Sequence, residues 1–185
     1  MSDTQLPRYQ VFLQEKPGLP HQDVGSVHAP DPEMALLNAR DVFVRRPECA
    51  GLWVVPAEAI FSRTRQELEA SPEFQPDESM GAGPPSSRAE KETYYVTCKP
   101  KPAGTQTLIG EVQAASPVEA LKQALEQFSS TPAPFTWWVF PARLVSSSDP
   151  AEADSLFDPA LDKPFRLSTD FNTLTRMRQI KDSSQ

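Results

Sequence analysis

Apolar and polar positions alternate from residue 9 onward. Tyr9, Val11 and Leu13 are separated by more polar neighbours, the period of a strand buried on one face. Gly25, Val27 and Ala29 give a second strand of small residues after a proline-bearing loop too long for a tight hairpin. The period then lengthens. Asp31-Pro32-Glu33 reads as an N-cap with proline in the first helical turn, and Ala35, Ala39, Val42 and Phe43 are expected on one buried helical face. Pro47 requires that this helix has ended. Leu52-Trp53-Val54-Val55 is apolar on both phases, as in a strand covered on both faces. Pro56-Ala57-Glu58 opens a short turn or helix.

The same pattern returns 85 positions later, from Tyr94, without a gap for about fifty residues. Tyr9, Val11, Lys16, Pro17, Gly25, Val27, Ala29, Ala35, Ala39, Phe43, Trp53 and Val54 all recur as the same residue type at that offset. Ser116-Pro117-Val118-Glu119 reads as a capping box for the second helix. After a small slip Phe74-Gln75-Pro76 matches Phe157-Asp158-Pro159, so the repeat includes a tail. The chain is a duplication. It is expected to be α+β: two tandem β-β-α-β modules, each a small mixed or antiparallel sheet with one helix on one face, plus extended tails. One helix covers only one face, and so small a module buries little surface alone, so the copies are expected to pair as an intramolecular pseudo-dimer. The expected boundaries are 1–80 for the first module with its tail and 81–92 for a Gly/Pro/Ser linker. The second, diverged module takes 93–171 and a C-terminal tail 172–185.

Composition narrows the function. Twenty prolines against seven glycines, in 185 residues that are 38% apolar, point to many loops. The net charge of −7 argues against nucleic acid, which demands a basic face. With no apolar run of spanning length and no signal-like N-terminus, the expected compartment is the cytoplasm, with no membrane partner. Cys49 and Cys98 show no metal or disulfide spacing and read as small packing or surface residues.

Candidate chemistry is thin. His21 and His28 are the only histidines, and Gln106 and Gln113 stand at their matched positions. A hydrogen-bonded surface or interface role suits them better than metal ligation, which needs convergent partners. Asp31 is accounted for as a cap, and Asp41 is placed to pair with Arg45 at i+4. There is no nucleophile elbow and no phosphate-binding glycine loop. No catalytic, cofactor-binding or metal residue is assigned, and no cofactor is expected. Trp53 and Trp138, matched between copies, read as module core, whereas Trp137 stands on the opposite phase and is equally a candidate for an interface.

The first copy resembles the B-subunit family of the bacterial phenylacetyl-CoA epoxidase, the multicomponent oxygenase of phenylacetate degradation. The resemblance is carried by Tyr9, Val11, Phe12, Gly18, Leu19, His21, Val24-Gly25-Ser26, His28-Ala29, Asp31, Met34-Ala35-Leu36, Asn38-Ala39-Arg40-Asp41, Arg45-Arg46 and Trp53-Val54-Val55, with Phe74 and its neighbours in the tail. It covers most of residues 8–79, and the second copy follows through the internal repeat. It implies a non-catalytic, bridging subunit. Its partners would be a di-iron oxygenase catalytic subunit and that subunit's inactive structural partner. The flavin and iron-sulfur reductase is a further candidate, and self-association stays open. Two departures stand out. The family usually carries one module per chain, and here Gln106, Leu125, Glu126, Ser130 and Thr131 replace His21, Arg40, Asp41, Arg45 and Arg46. The first copy is therefore expected to keep the partner surface, through His21, Arg40, Arg45 and Arg46, with the second as a built-in mate, and Trp137 of the second copy is a further candidate interface residue. The alternative is a tandem-module regulatory protein that binds a small metabolite at the junction of its copies.

Overall fold

The computed structural model describes residues 6–44, 49–74, 91–128, 133–149 and 153–158. The first copy forms β1 (Arg8–Gln14), β2 (Gln22–His28), α1 (Pro32–Phe43) and β3 (Gly51–Pro56). A 3-10 turn over Ala57–Ala59 leads to β4 (Phe61–Thr64), α2 (Arg65–Ala70) and a second 3-10 turn, Pro72–Phe74. The second copy repeats the series as β5 (Glu92–Lys99), β6 (Thr107–Ala114), α3 (Pro117–Gln127) and β7 (Thr136–Pro141). A turn at Ala142–Leu144 then leads to β8 (Ser146–Ser147) and α4 (Ala153–Phe157). The fold is α+β, with two β-β-α-β modules paired within one chain, as the periodicity requires. Apart from Lys91 and Glu92, the linker 81–92 and the tail 172–185 lie outside the described residues.

Local chemistry sets the helix starts. The Asp31 carboxylate accepts the Met34 amide at 2.8 Å, with Pro32 in the first turn. Ser116 Oγ accepts the Glu119 amide at 3.2 Å, while the Glu119 carboxylate returns to the amide of Ala115, one residue earlier than a capping box would place it. Each module also has a β-bulge at the matched positions Val11/Phe12 and Val96/Thr97. The matched glycines have one cause. A Cβ on Gly110 would lie 2.4 Å from Phe128 Cζ, and one on Gly25, at φ 131°, would lie 3.0 Å from Phe43 Cζ. Each helix thus drives a phenylalanine onto a strand where only glycine leaves room.

All eight strands form one sheet in the order β4-β7-β5-β6-β2-β1-β3-β8. The two halves are joined at β2 and β6, where Gln22 pairs with Thr107. Around that pair the Asp23 amide donates to the Gln106 carbonyl at 2.8 Å, and the Leu108 amide donates to the His21 carbonyl at 2.9 Å. These bonds are related by the 85-residue offset, so a pseudo-twofold axis passes through the seam. The sheet curls sharply there. β1 and β7 are separated by three strands, yet the rings of Phe12 and Phe140 lie 5.3 Å apart.

Alternate side chains therefore meet different layers. Val11, Leu52 and Val54 pack under α1, and Val96, Trp137 and Val139 pack under α3. Phe12, Trp53, Val55, Tyr95, Trp138 and Phe140 point inward and fill the space between the half-sheets. This explains the strands that are apolar on both phases: the second cover is the other copy. One expectation fails. Val42 is 51% exposed, because only Ala35 and Ala39 are fully buried on α1 and the stripe is narrower than expected.

The tails cross. β4, from the first copy, adds to β7 of the second (Phe61↔Val139, Ser62↔Trp138), and β8 adds to β3 of the first (Ser146↔Val54, Ser147↔Trp53). The registers match at the 85-residue offset. Beyond them, Leu68 and Phe74 pack against the second core, and Phe157 is buried in the first. Each copy lends an edge strand and an aromatic residue to its mate.

Candidate interaction surface and module junction

The candidate residues separate into three places. His21 lies at the seam, just before β2, and is 9% exposed. Its ring stacks on Trp53, with centroids 3.7 Å apart, and Trp53 in turn meets Tyr95 of the other copy at 4.7 Å. Burial pushes the His21 pKa down to about 4, so the imidazole is neutral at pH 7. Its matched residue, Gln106, is also buried and donates to Thr97 Oγ1 at 3.0 Å, while its Oε1 has no partner among the described residues. Both act inside the molecule. His21 therefore belongs to the contact between copies.

Trp137 is 2% exposed and part of the core under α3. The matched pair Trp53 and Trp138, expected in the module cores, line the space between copies instead. The reason is strand phase: 137 shares the parity of Val139, which faces α3, and 138 that of Phe140, which faces inward.

Arg40 is half-buried on α1, with Nε 2.9 Å from the Asp41 carboxylate. Arg45 and Arg46, and with them the Asp41–Arg45 pairing, lie outside the described residues. His28 is exposed on β2, its Nδ1 2.8 Å from the Leu6 carbonyl, and the His28 carbonyl accepts from Asn38 of α1 at 3.1 Å.

Other titratable groups are held by structure. Burial raises the Asp23 pKa, opposed by hydrogen bonds from Gln10 and the Gly25 amide. Burial likewise raises the thiols of Cys49 and Cys98. Burial first, and then the hydrogen bond to Glu92, pushes Tyr94 up to about 12. Among the described residues no three His, Cys, Asp or Glu side chains converge as metal ligands, and no described helix is long and apolar enough to cross a membrane.

Sequence reading missed one surface feature. The exposed large apolar side chains among the described residues are Leu6, Leu19, Met34, Leu37 and Val42, all in the first copy. At the matched positions stand Lys91, Gly104, Glu119, Lys122 and Gln127. Reading the copies against each other for differences, rather than for agreement, would have found it.

The comparisons with known proteins agree with this two-copy architecture. The B subunit of 1,2-phenylacetyl-CoA epoxidase from Escherichia coli (strain K12) is 47% identical over 79 residues, which cover 43% of this chain and 81% of that one. No solved structure matches. The family model described as "Phenylacetic acid degradation B" matches twice, over residues 5–79 and 90–178. The chain belongs to the phenylacetic acid degradation B family, with the family's module present twice in tandem.

Proposed function

We propose that this chain is a non-catalytic subunit of a phenylacetyl-CoA epoxidase-like multicomponent oxygenase in aerobic phenylacetate degradation, and that it holds the catalytic oxygenase subunits together. The observation that carries the reading is the double family match, together with 47% identity to the B subunit of that epoxidase. The fold supports it. The residues that sequence reading singled out for chemistry are committed to structure: His21 to a stack at the seam, Asp31 to a helix cap, and Trp137 to a core. What remains for another protein is the outer surface.

The partners in this reading are the di-iron catalytic subunit and its structural companion, with the reductase as a third candidate. Arg40, Arg45 and Arg46 of the first copy supply polar contacts, since arginine is favoured where charge and planar hydrogen bonding meet at an interface. The test is recovery of the tagged protein from native extract, followed by mass spectrometry and light scattering. A di-iron oxygenase and its structural companion should be recovered with it. Arg45→Glu/Arg46→Glu should weaken that recovery while leaving thermal unfolding unchanged. Recovery of the protein alone would refute the reading.

A further inference from the structure

We propose that a notch at the start of β3, bounded by Gln14, His21 and Ser148, binds a primary ammonium group. The group comes from a lysine side chain of a partner subunit or from a small free alkylamine. Gly51 forms the floor. A Cβ built there would lie 3.6 Å from Gln14 Oε1, 3.7 Å from His21 Nε2 and 3.9 Å from Ser148 Oγ. Three polar atoms, from the end of β1, the seam and the residue after β8, thus converge on a point that carries no side chain.

Each of the three keeps capacity for a ligand. Gln14 Nε2 donates to the Leu19 carbonyl at 2.7 Å, which fixes the amide with Oε1 toward the notch. Trp53 takes the face of the His21 ring but not its edge. The residue is 9% exposed, and neither ring nitrogen has a hydrogen-bond partner among the described residues. Burial keeps the imidazole neutral at pH 7, so with the proton on Nδ1 it turns an acceptor into the notch. Ser148 is buried, accepts from the Leu52 amide at 3.0 Å and has a second lone pair left.

The chemistry of the set selects the ligand. An anion would meet the Gln14 carbonyl oxygen, which can only accept. Among the described residues no His, Cys, Asp or Glu cluster converges as metal ligands, so the charged donors that a divalent ion needs are missing. An ammonium group brings three N–H donors, one for each acceptor. The local field favours it. Burial first, and to a lesser degree the Glu15 carboxylate, raise the thiol of Cys49, against its hydrogen bond to the Gly51 carbonyl. Negative charge therefore reaches the floor of the notch, in a chain of net charge −7 that draws cations.

The second module supplies the control. At the matched positions stand Lys99, Gln106, Thr136 and Arg63 in place of Gln14, His21, Gly51 and Ser148. Gln106 is turned to Thr97, threonine brings the side chain that Gly51 lacks, and two cations replace neutral acceptors. The fold therefore does not require the notch.

The test is NMR of the isotope-labelled intact chain at neutral pH, titrated with n-butylammonium chloride. Tetramethylammonium chloride, which has no N–H donor, is the control at equal concentration. Butylammonium should shift the His21 ring and Gly51 amide resonances saturably, and tetramethylammonium should not. Gly51→Ala fills the notch with a methyl group whose contacts, 3.6–3.9 Å, are ordinary packing distances. It should leave thermal unfolding unchanged and weaken butylammonium binding about tenfold or more, as loss of a charge-assisted hydrogen bond does. Gln14→Met, which removes one acceptor, should weaken it as well. Absence of a saturable shift, an equal shift with tetramethylammonium, or wild-type titrations in both variants overturns the proposal.

Adding the purified oxygenase pair of the functional reading identifies the source. Displacement of butylammonium by the pair, with weaker pair binding to Gly51→Ala, assigns the ammonium to a partner lysine. Equal pair binding by wild type and Gly51→Ala, with the butylammonium response intact, assigns it to a free amine. Failure of the pair to bind at all refutes the functional reading alone, since the butylammonium titration decides the site without it.

Discussion

Phe157→Ala tests the crossed tails directly. Phe157 belongs by sequence to the second copy, but its ring is 2% exposed within the core of the first. Truncating a buried phenylalanine to alanine costs about 3–5 kcal/mol, from lost transfer energy and from the cavity left behind. α4 is a helix of only five residues that can settle into part of the cavity, which favours the lower end, about 3 kcal/mol. For a chain of this length that lowers the melting temperature by roughly 6–12 °C. Phe74, only half-buried in the opposite core, gives an internal comparison, and its alanine variant should lose about half as much. Urea unfolding measures the loss, and amide hydrogen exchange shows where it falls. In Phe157→Ala the accelerated amides should lie in α1 and β3, which the ring supports from across the chain. A stability loss below about 1 kcal/mol, or acceleration confined to α3 and β7, would refute the exchange of tails.

The seam and the glycine–phenylalanine contacts give two further tests. His21 is neutral when folded, with its pKa lowered from 6.5 to about 4, so between those values the unfolded chain binds a proton that the folded chain does not. Its contribution to stability is intact above about pH 6.5 and is lost as pH falls toward 4. His21→Gln, the residue standing at the matched position, should flatten that part of the urea-midpoint profile; parallel profiles for the two proteins would sink the assignment. Gly110→Ala puts a methyl group 2.4 Å from Phe128 Cζ and should cost about 1–3 kcal/mol by overpacking. Adding Phe128→Leu should recover part of the loss, and an unchanged urea midpoint for Gly110→Ala would show that the contact is not tight.

Much of this was legible in the sequence, because it follows from neighbours along the chain. The caps at Asp31 and Ser116 depend on residues three positions away, and the first strands on an alternation of period two. The duplication is a comparison of the chain with itself, and it brought the family with it. The need for a second cover over Trp53-Val54-Val55 also followed, since a strand apolar on both phases cannot face water.

The tertiary structure alone decided which cover that is and which tryptophan faces it. A strand buried on both faces has no polar phase to distinguish inside from outside, so Trp138, expected in a module core, lines the space between copies, and Trp137, open to either place, lies in the core. The crossed tails were hidden for a related reason. β4 has four residues and β8 two, too short for a pattern, and an edge strand pairs through its backbone, whose hydrogen bonds carry no side-chain signature. Each module is specified from within, by contacts between near neighbours in its own sequence. The curl of the sheet and the seam at Gln22 and Thr107 exist only once the two copies are packed against each other.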